Sequence, residues 1–476
     1  MVNRDVEAQR IVDGLTALVG EAAILTGDDA APYAKGARYG DGAALCVVRP
    51  ASAAQVSEVV KFCATHAVPI VVQGANTGLV GASSPDTSGR QVILSTARLN
   101  RVCAVDVGNR SVTVDAGITL QELSDALEPH AFWFPIDLGA NPMIGGMIGA
   151  NTGGTRLIRY GDVRHNLLSL DVVLFDPPGQ QLTLGRPLRK DNTGFDLKQL
   201  FVGTSGVCGV ITRATLEIHP RPQQSATALV VPTSDAAVMQ LLTALEKELG
   251  DFLSAFEGMS ANAMQVAVDH IPNARNPFAP EPMPEFAILI ELESSCSTAA
   301  TGLDLAQTLN RFLESKFESL ISNAVIGNAK DLWRVRHGIT EGARKVGKPI
   351  AFDVSVPRSR IMEFRKRATD IVASDFPYLT VIDFGHIADG GVHFNLVWPH
   401  AASRAYDVAV VSDLRDRIYA LVVEQLGGSF SAEHGVGPHN ATYYQRYTDA
   451  DAKRIAGAIK NTLDPARLCG SVDYGP

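Results

Sequence analysis

Glycine is unevenly spread along this 476-residue chain, and the three loops in which it gathers within the first 220 residues constrain the fold more than any other feature. The first loop, Gln73 to Gly81 (QGANTGLVG), directly follows the strand-like run Val68 to Gln73. The second spans Pro135 to Asp162 (PIDLGANPMIGGMIGANTGGTRLIRYGD) and repeats the theme, while the third, Phe201 to Thr212 (FVGTSGVCGVIT), leads into a strand. Small residues at strand ends let backbone N–H groups close around phosphate oxygens. None of the loops is a Walker A sequence or a GxGxxG fingerprint, since neither Gly-Lys-Ser/Thr nor a correctly spaced glycine triplet occurs. One such loop is more often a tight turn; three in one domain point to a phosphate-bearing ligand.

The length is too great for a single core, so two or three domains are expected. Short strands alternate with helices up to residue 218: strands at 46–50, 68–73, 92–95, 112–115, 170–175 and 209–218, with Ser52 and Gln55 as a capping box opening a helix that runs to His66. After His219 to Gln223 (HPRPQ) glycine thins, which places a boundary there. Beyond it, 230–231 and 286–292 read as strands, and 236–249, 299–315, 329–345, 358–374 and 449–463 as helices. The net charge of -9, with no block of like charges, argues against non-specific nucleic-acid binding. Six cysteines without paired spacing read as reduced thiols of a cytoplasmic protein lacking a Cys-based metal site. No apolar run reaches the ~18 residues of a spanning helix, and the first twenty residues read as an amphipathic helix and not a signal peptide.

The residues with the clearest chemical potential lie later. Tyr378 to Phe384 reads as a strand, Gly390-Gly391 as a hairpin turn, and Val392 to Val397 as the returning strand. Alternation along the second strand puts His393 and Asn395 on one face and Val392, Phe394 and Leu396 on the other, with His386 at the end of the first strand. Some forty residues on, Glu433 and His434 lie in a Gly-rich loop. His386, His393 and Glu433 could hold a divalent cation, and His434 could move a proton. A buried, hydrogen-bonded His pair with an unrelated Glu explains the spacing equally well. In the helix DLWRVRHGITEGARK, Leu332, Val335, Ile339 and Ala343 form an apolar stripe, and Arg336 and Thr340 share an adjoining face. Arg336 could grip a carboxylate with two hydrogen bonds; on spacing alone, a surface Arg or a pair with Glu341 or Asp331 is the simpler reading.

Taken together, QGANTGLVG, DLGANPMIGGMIGANTGGTR, RYGDVR and GVITRATLEI resemble the FAD-binding domain of the vanillyl-alcohol-oxidase/PCMH flavoproteins, and WRVRHGIT, DVSVP, GHIADGGVHFN, SAEHGVG and LDP resemble its FAD-linked D-2-hydroxyacid dehydrogenase branch. The resemblance covers nearly the whole chain in order. It implies an α+β fold: a PCMH-type FAD-binding domain of two α/β subdomains over 1–220, a cap domain over 221–427 with an antiparallel sheet flanked by helices, and a segment, 428–476, that packs back on the first domain. It implies that Gly74, Asn76, Thr77, Gly78, Leu79 and Gly81 hold the pyrophosphate region, and that Pro135, Leu138, Gly145, Gly146, Asn151, Gly154, Tyr160 and Ile211 line the rest of the cofactor. The first loop contains no His, so non-covalent FAD is expected. The same resemblance makes His386, His393 and Glu433 ligands of a divalent metal, zinc first by ligand type, with manganese, cobalt or iron compatible. It makes His434 the general base, Arg336 and Thr340 the carboxylate grip and Asn395 an orienting donor. The substrate would be a 2-hydroxy acid such as D-2-hydroxyglutarate or D-lactate, with electrons passed to a separate acceptor: quinone, cytochrome or electron-transfer flavoprotein. A homodimer is the family-level expectation.

The chain departs from that pattern at named places. Ala351 stands where D-2-hydroxyglutarate dehydrogenases typically carry Lys, so either Lys345 or Lys348 substitutes or the substrate tail differs. Ser205 stands where relatives often have Glu, Cys208 is a second departure in the same loop, and the tail LCGSVDYGP lacks the usual Asn-Pro-Gly-Lys ending. Competing readings are an oxidase or dehydrogenase of another alcohol or sugar acid on the same scaffold, a non-catalytic flavin electron relay, and a metal-dependent hydrolase. The last lacks a His-Glu-x-x-His helix, and a relay has no need of the His, Glu and Arg set.

Overall fold

A computed structural model describes residues 2–402 and 404–475. The chain's own contacts gather it into two units, the first comprising 1–153, 162–220 and 433–476, the second 154–161 and 221–432.

The first unit holds two sheets. One has four strands in the order Ile24–Leu25, Ala44–Val48, Gln91–Ser95 and Ile70–Gln73, the last three parallel. Its central residues Val47, Val48, Ile70, Val92, Ile93 and Leu94 are almost completely buried, as expected for parallel strands covered by helices. Helix Ala53–Thr65 packs there through Val56, Val59, Val60 and Cys63, a stripe of helical spacing. Its capping differs slightly from expectation. Ser52 accepts from the Gln55 N–H, but the Gln55 side chain returns to the N–H of Ala51, one residue earlier than a capping box requires. The second sheet is antiparallel, in the order Cys103–Asp106, Ser111–Asp115, Val210–Glu217, Leu167–Val173, Gln181–Gly185. The short helix Ile144–Ala150, inside the second glycine loop, joins this sheet's apolar core through Ile144, Met147 and Ile148.

The second unit is built on an antiparallel sheet ordered Ile321–Ile326, Gln224–Pro232, Phe286–Ser294, Leu253–Ser260, Thr380–His386, Gly391–Pro399, Gly347–Ile350, with Asp353–Ser355 also paired to Gly391–Pro399. Helices Ala261–His270 and Ala329–Val346 cover one face, where Ile382, Phe384, Met259 and Leu289 meet Val335, Ile339 and Ala343. Phe352, Phe364, Phe394 and Tyr419 pack edge to face on the other. The antiparallel sheet with flanking helices is the architecture expected, but five of its elements, Leu253–Ser260, Ala261–His270, Ile321–Ile326, Gly347–Ile350 and Asp353–Ser355, escape the sequence pattern. The helix expected at 299–315 is broken at Gly302 (φ 71°) into Thr298–Thr301 and Leu305–Lys316. Ser429 pairs with Ser355, and the Ala432 N–H is bonded to the Asp353 carbonyl at 3.1 Å, which ties the stretch before Glu433 to this unit.

Candidate active site

The hairpin forms as its sequence predicts, Thr380–His386 paired with Gly391–Pro399 around a four-residue turn, with Phe384 opposite His393 and Ile382 opposite Asn395. Residues opposite one another in an antiparallel pair point to the same side, so His393 and Asn395 share the face covered by helix Ala329–Val346. His386 closes the first strand, and its ring meets that of His393 at 5.3 Å between centroids, nearly edge-on. Asp353 stands opposite His393, with its carboxylate 3.9 Å from the imidazole Nδ1.

The group that organises this cluster is one the sequence pattern does not reveal. Glu257, only 1% exposed, sits opposite His386 in strand register. One of its oxygens takes the Nδ1 proton of His386 at 2.6 Å. The other accepts from both Nε and Nη2 of Arg336, each at 2.7 Å. Burial alone would push the Glu257 carboxyl up, but His386 and Arg336 reverse this and hold it at about 2. It is therefore ionised and can only accept, so Nδ1 of His386 carries the proton between them. Arg336 is neither a surface residue nor paired within its helix; Asp331 pairs with Arg334 instead. Its guanidinium lies over the Phe384 ring, and with Nε spent on Glu257 its Nη1 edge keeps two donors. Thr340, half-buried, follows one turn later on the same helix.

Glu433 and His434 are the next two residues after Ala432. The ligand atoms of His386, His393 and Glu433 lie within 4.8 Å of one another, as do those of Asp353, His393 and His434. Two imidazoles and a carboxylate at that spacing suit one divalent cation, and Glu257 fixes the orientation of the His386 ring through Nδ1.

A second buried polar group lies along the same sheet. Glu291 and Glu293, both almost fully buried, take Arg156 at 3.0 and 3.1 Å, and Trp333 donates its indole N–H to Glu291 at 2.7 Å. Tyr160 donates to Glu293 at 3.3 Å; burial, with Glu293 beside it, pushes the phenol up to about 12. Gly154 and Tyr160 thus belong to the second unit, within the short segment 154–161. The Lys348 ammonium sits over the Tyr406 ring at 3.5 Å, and Lys345 is exposed.

In the first unit the three glycine loops converge. A Cβ on Gly74 would lie 3.7 Å from the Gly146 Cα, the Gly203 N–H bonds the Ile148 carbonyl at 3.0 Å, and the Ser205 N–H bonds the Gly149 carbonyl at 2.8 Å. At Gly78 and Gly146 a Cβ would meet nothing within 4 Å, so their backbone faces open space. That is the cradle an extended phosphate-bearing cofactor needs. Other expected contacts are used internally. Asn76, in a left-handed conformation (φ 54°), donates to the Lys35 carbonyl and accepts from Ser83, bracing the loop. Asn151 binds Asp162 and the Arg164 N–H. Gly145 is required by packing, since its Cβ would fall 2.8 Å from that of Ala116. Ile211 is buried in the antiparallel sheet, Pro135 is buried, and Thr77, Leu79 and Leu138 are half-buried. Gly81 takes the positive φ (77°) that lets the first loop end. Ser205 donates to the Val436 carbonyl at 2.9 Å, and the His439 N–H bonds the Val80 carbonyl at 3.2 Å, so the loops also anchor the stretch just after His434. Among the described residues no helix is long and apolar enough to cross a membrane, and all six cysteines are free thiols.

Comparison with known proteins bears on family and fold. Residues 44–185 match the FAD binding domain family, and residues 221–472 match the C-terminal domain of FAD linked oxidases. A probable mitochondrial D-2-hydroxyglutarate dehydrogenase of Oryza sativa subsp. japonica is 33% identical over 434 residues, 89% of this chain and 74% of the relative. A putative mitochondrial D-lactate dehydrogenase of Schizosaccharomyces pombe is 32% identical over 434 residues, 88% of this chain and 79% of that one. In fold, p-cresol methylhydroxylase with substrate bound superposes with a TM-score of 0.75 at 16% identity, covering 97% of this chain and 95% of its own.

Proposed function

The chain belongs to the FAD-linked oxidases, in the branch of the D-2-hydroxyglutarate and D-lactate dehydrogenases, and from that premise we propose that it oxidises a D-2-hydroxy acid to the 2-oxo acid in a metal-dependent reaction, passing the electrons to a separate acceptor. Bound FAD would accept the hydride from the substrate Cα, and a bound divalent cation, zinc first by ligand type, would polarise the hydroxyl. The free Nη1 edge of Arg336 takes the substrate carboxylate, with Thr340 beside it and Asn395 as orienting donor. His386, His393 and Glu433 hold the cation, and His434 takes the hydroxyl proton. Gly74, Gly78 and Gly81 admit the cofactor's pyrophosphate to the backbone without a covalent link, and Gly146 lines the rest of the cofactor. The observation that carries this reading is the chain of bonds from Arg336 through Glu257 to His386, which sets a carboxylate-binding cation next to a prepared metal ligand.

The substrate tail is the finer question. With Ala351 in place of Lys and Lys348 held over Tyr406, a short D-lactate-like acid is favoured over D-2-hydroxyglutarate. Anaerobic mixing of the yellow protein with a panel of D- and L-2-hydroxy acids tests all of this together. Bleaching by D-acids alone, most strongly by D-lactate, and loss of bleaching after chelation are expected. A colourless protein, bleaching by L-acids, or indifference to chelation each sinks a stated part of the reading.

A further inference from the structure

We infer that Glu257 is a positioning residue which couples the cation ligand His386 to the carboxylate grip Arg336, so that substrate and cation are held in one fixed relation. The inference rests on the function proposed above and deepens it. Glu257 divides its two oxygens between the two partners, one to His386 and one to Arg336. The bond to His386 is preset by the backbone, because the two residues are direct partners across adjacent strands. The neighbouring acid cannot stand in: Glu291 is already occupied by Trp333, Arg156, Thr227 and Ser254. Nor does packing call for an acid there. Ala255 and Met259, two residues away on the same face, belong to an apolar cluster, and an apolar residue at 257 would continue it without the cost of burying a charge. What only a carboxylate does at this place is keep Nδ1 of His386 protonated and hold one edge of the guanidinium, so that Nε2 and the Nη1 edge are presented together.

The test uses the full-length, flavin-loaded chain. In Glu257→Gln, Zn2+ titrated against a fluorescent chelator should bind about 10- to 100-fold more weakly, the usual cost of losing such an outer partner. KM for the D-2-hydroxy acid should rise about as far while the flavin absorbance is unchanged. Wild-type Zn2+ affinity and KM, with only a lower melting temperature, would show Glu257 to be purely structural. Should the Gln variant lose its flavin, Glu257→Asp carries the test: it keeps the charge but shortens the reach, and unchanged Zn2+ affinity and KM in it would equally overturn the inference. If the unmodified chain binds none of Zn2+, Mn2+, Co2+ and Fe2+ in the same titration, the metal-dependent reading itself fails, and this inference with it.

Discussion

The glycine loops of the first unit prepare their site from backbone, the sheet of the second from side chains. Around the glycine loops the side chains that could have reached a ligand, Asn76 and Asn151, are turned inward to brace the loops, and open space lies against bare backbone at Gly78 and Gly146. On the sheet of the second unit the reverse holds. Backbone groups are spent on strand pairing, and Glu257, Arg336, His386 and His393 carry the chemistry. The difference teaches where each unit is vulnerable. A backbone cradle is damaged by adding atoms, whereas a side-chain constellation is damaged by removing one functional group.

Three sets of substitutions sharpen that contrast. The largest effect is expected from His434→Ala, with turnover falling on the order of 100- to 10,000-fold while flavin content stays at one per chain; steady-state rates beside the visible spectrum check it, and undiminished turnover would remove His434 from its assigned role. Arg336→Lys keeps the charge but not the two-edged planar geometry, so it can serve Glu257 or the substrate but not both. About a 10- to 100-fold loss in kcat/KM should follow, carried mainly by KM, roughly the worth of one or two charge-assisted hydrogen bonds. The smallest effects set two glycines against each other. Gly145→Ala forces a methyl against Ala116 and should cost about 1–3 kcal/mol in denaturant unfolding. Gly78→Ala meets no protein atom and should leave the flavin-free protein within about 0.5 kcal/mol, yet weaken FAD retention on dilution. If the two variants behaved alike, glycine would be serving packing at both places and the backbone cradle would lose its support.

How much of this was legible without coordinates depended on whether a residue's role is local. The hairpin carrying His386 and His393 could be read because a diglycine turn and period-two alternation are properties of a few consecutive residues. Helix Ala329–Val346 was legible from its apolar stripe, and the glycine loops from their composition. The strand Leu253–Ser260 was not. It is buried on both faces, so it lacks the alternation of a half-exposed strand, and Glu257 and Gly258 interrupt an already weak β pattern. With that strand went Glu257, and with Glu257 the true partner of Arg336, 79 residues away along the chain. The amino-acid order by itself determined which elements form where patterns are strong, and which residue types could serve a flavin, a cation and a hydroxy acid. Only the tertiary structure decided which glycines leave room and which fill it, and which carboxylate a buried arginine meets. Those outcomes depend on strand register between distant segments, and a buried charge must find its counter-charge wherever the fold happens to place one.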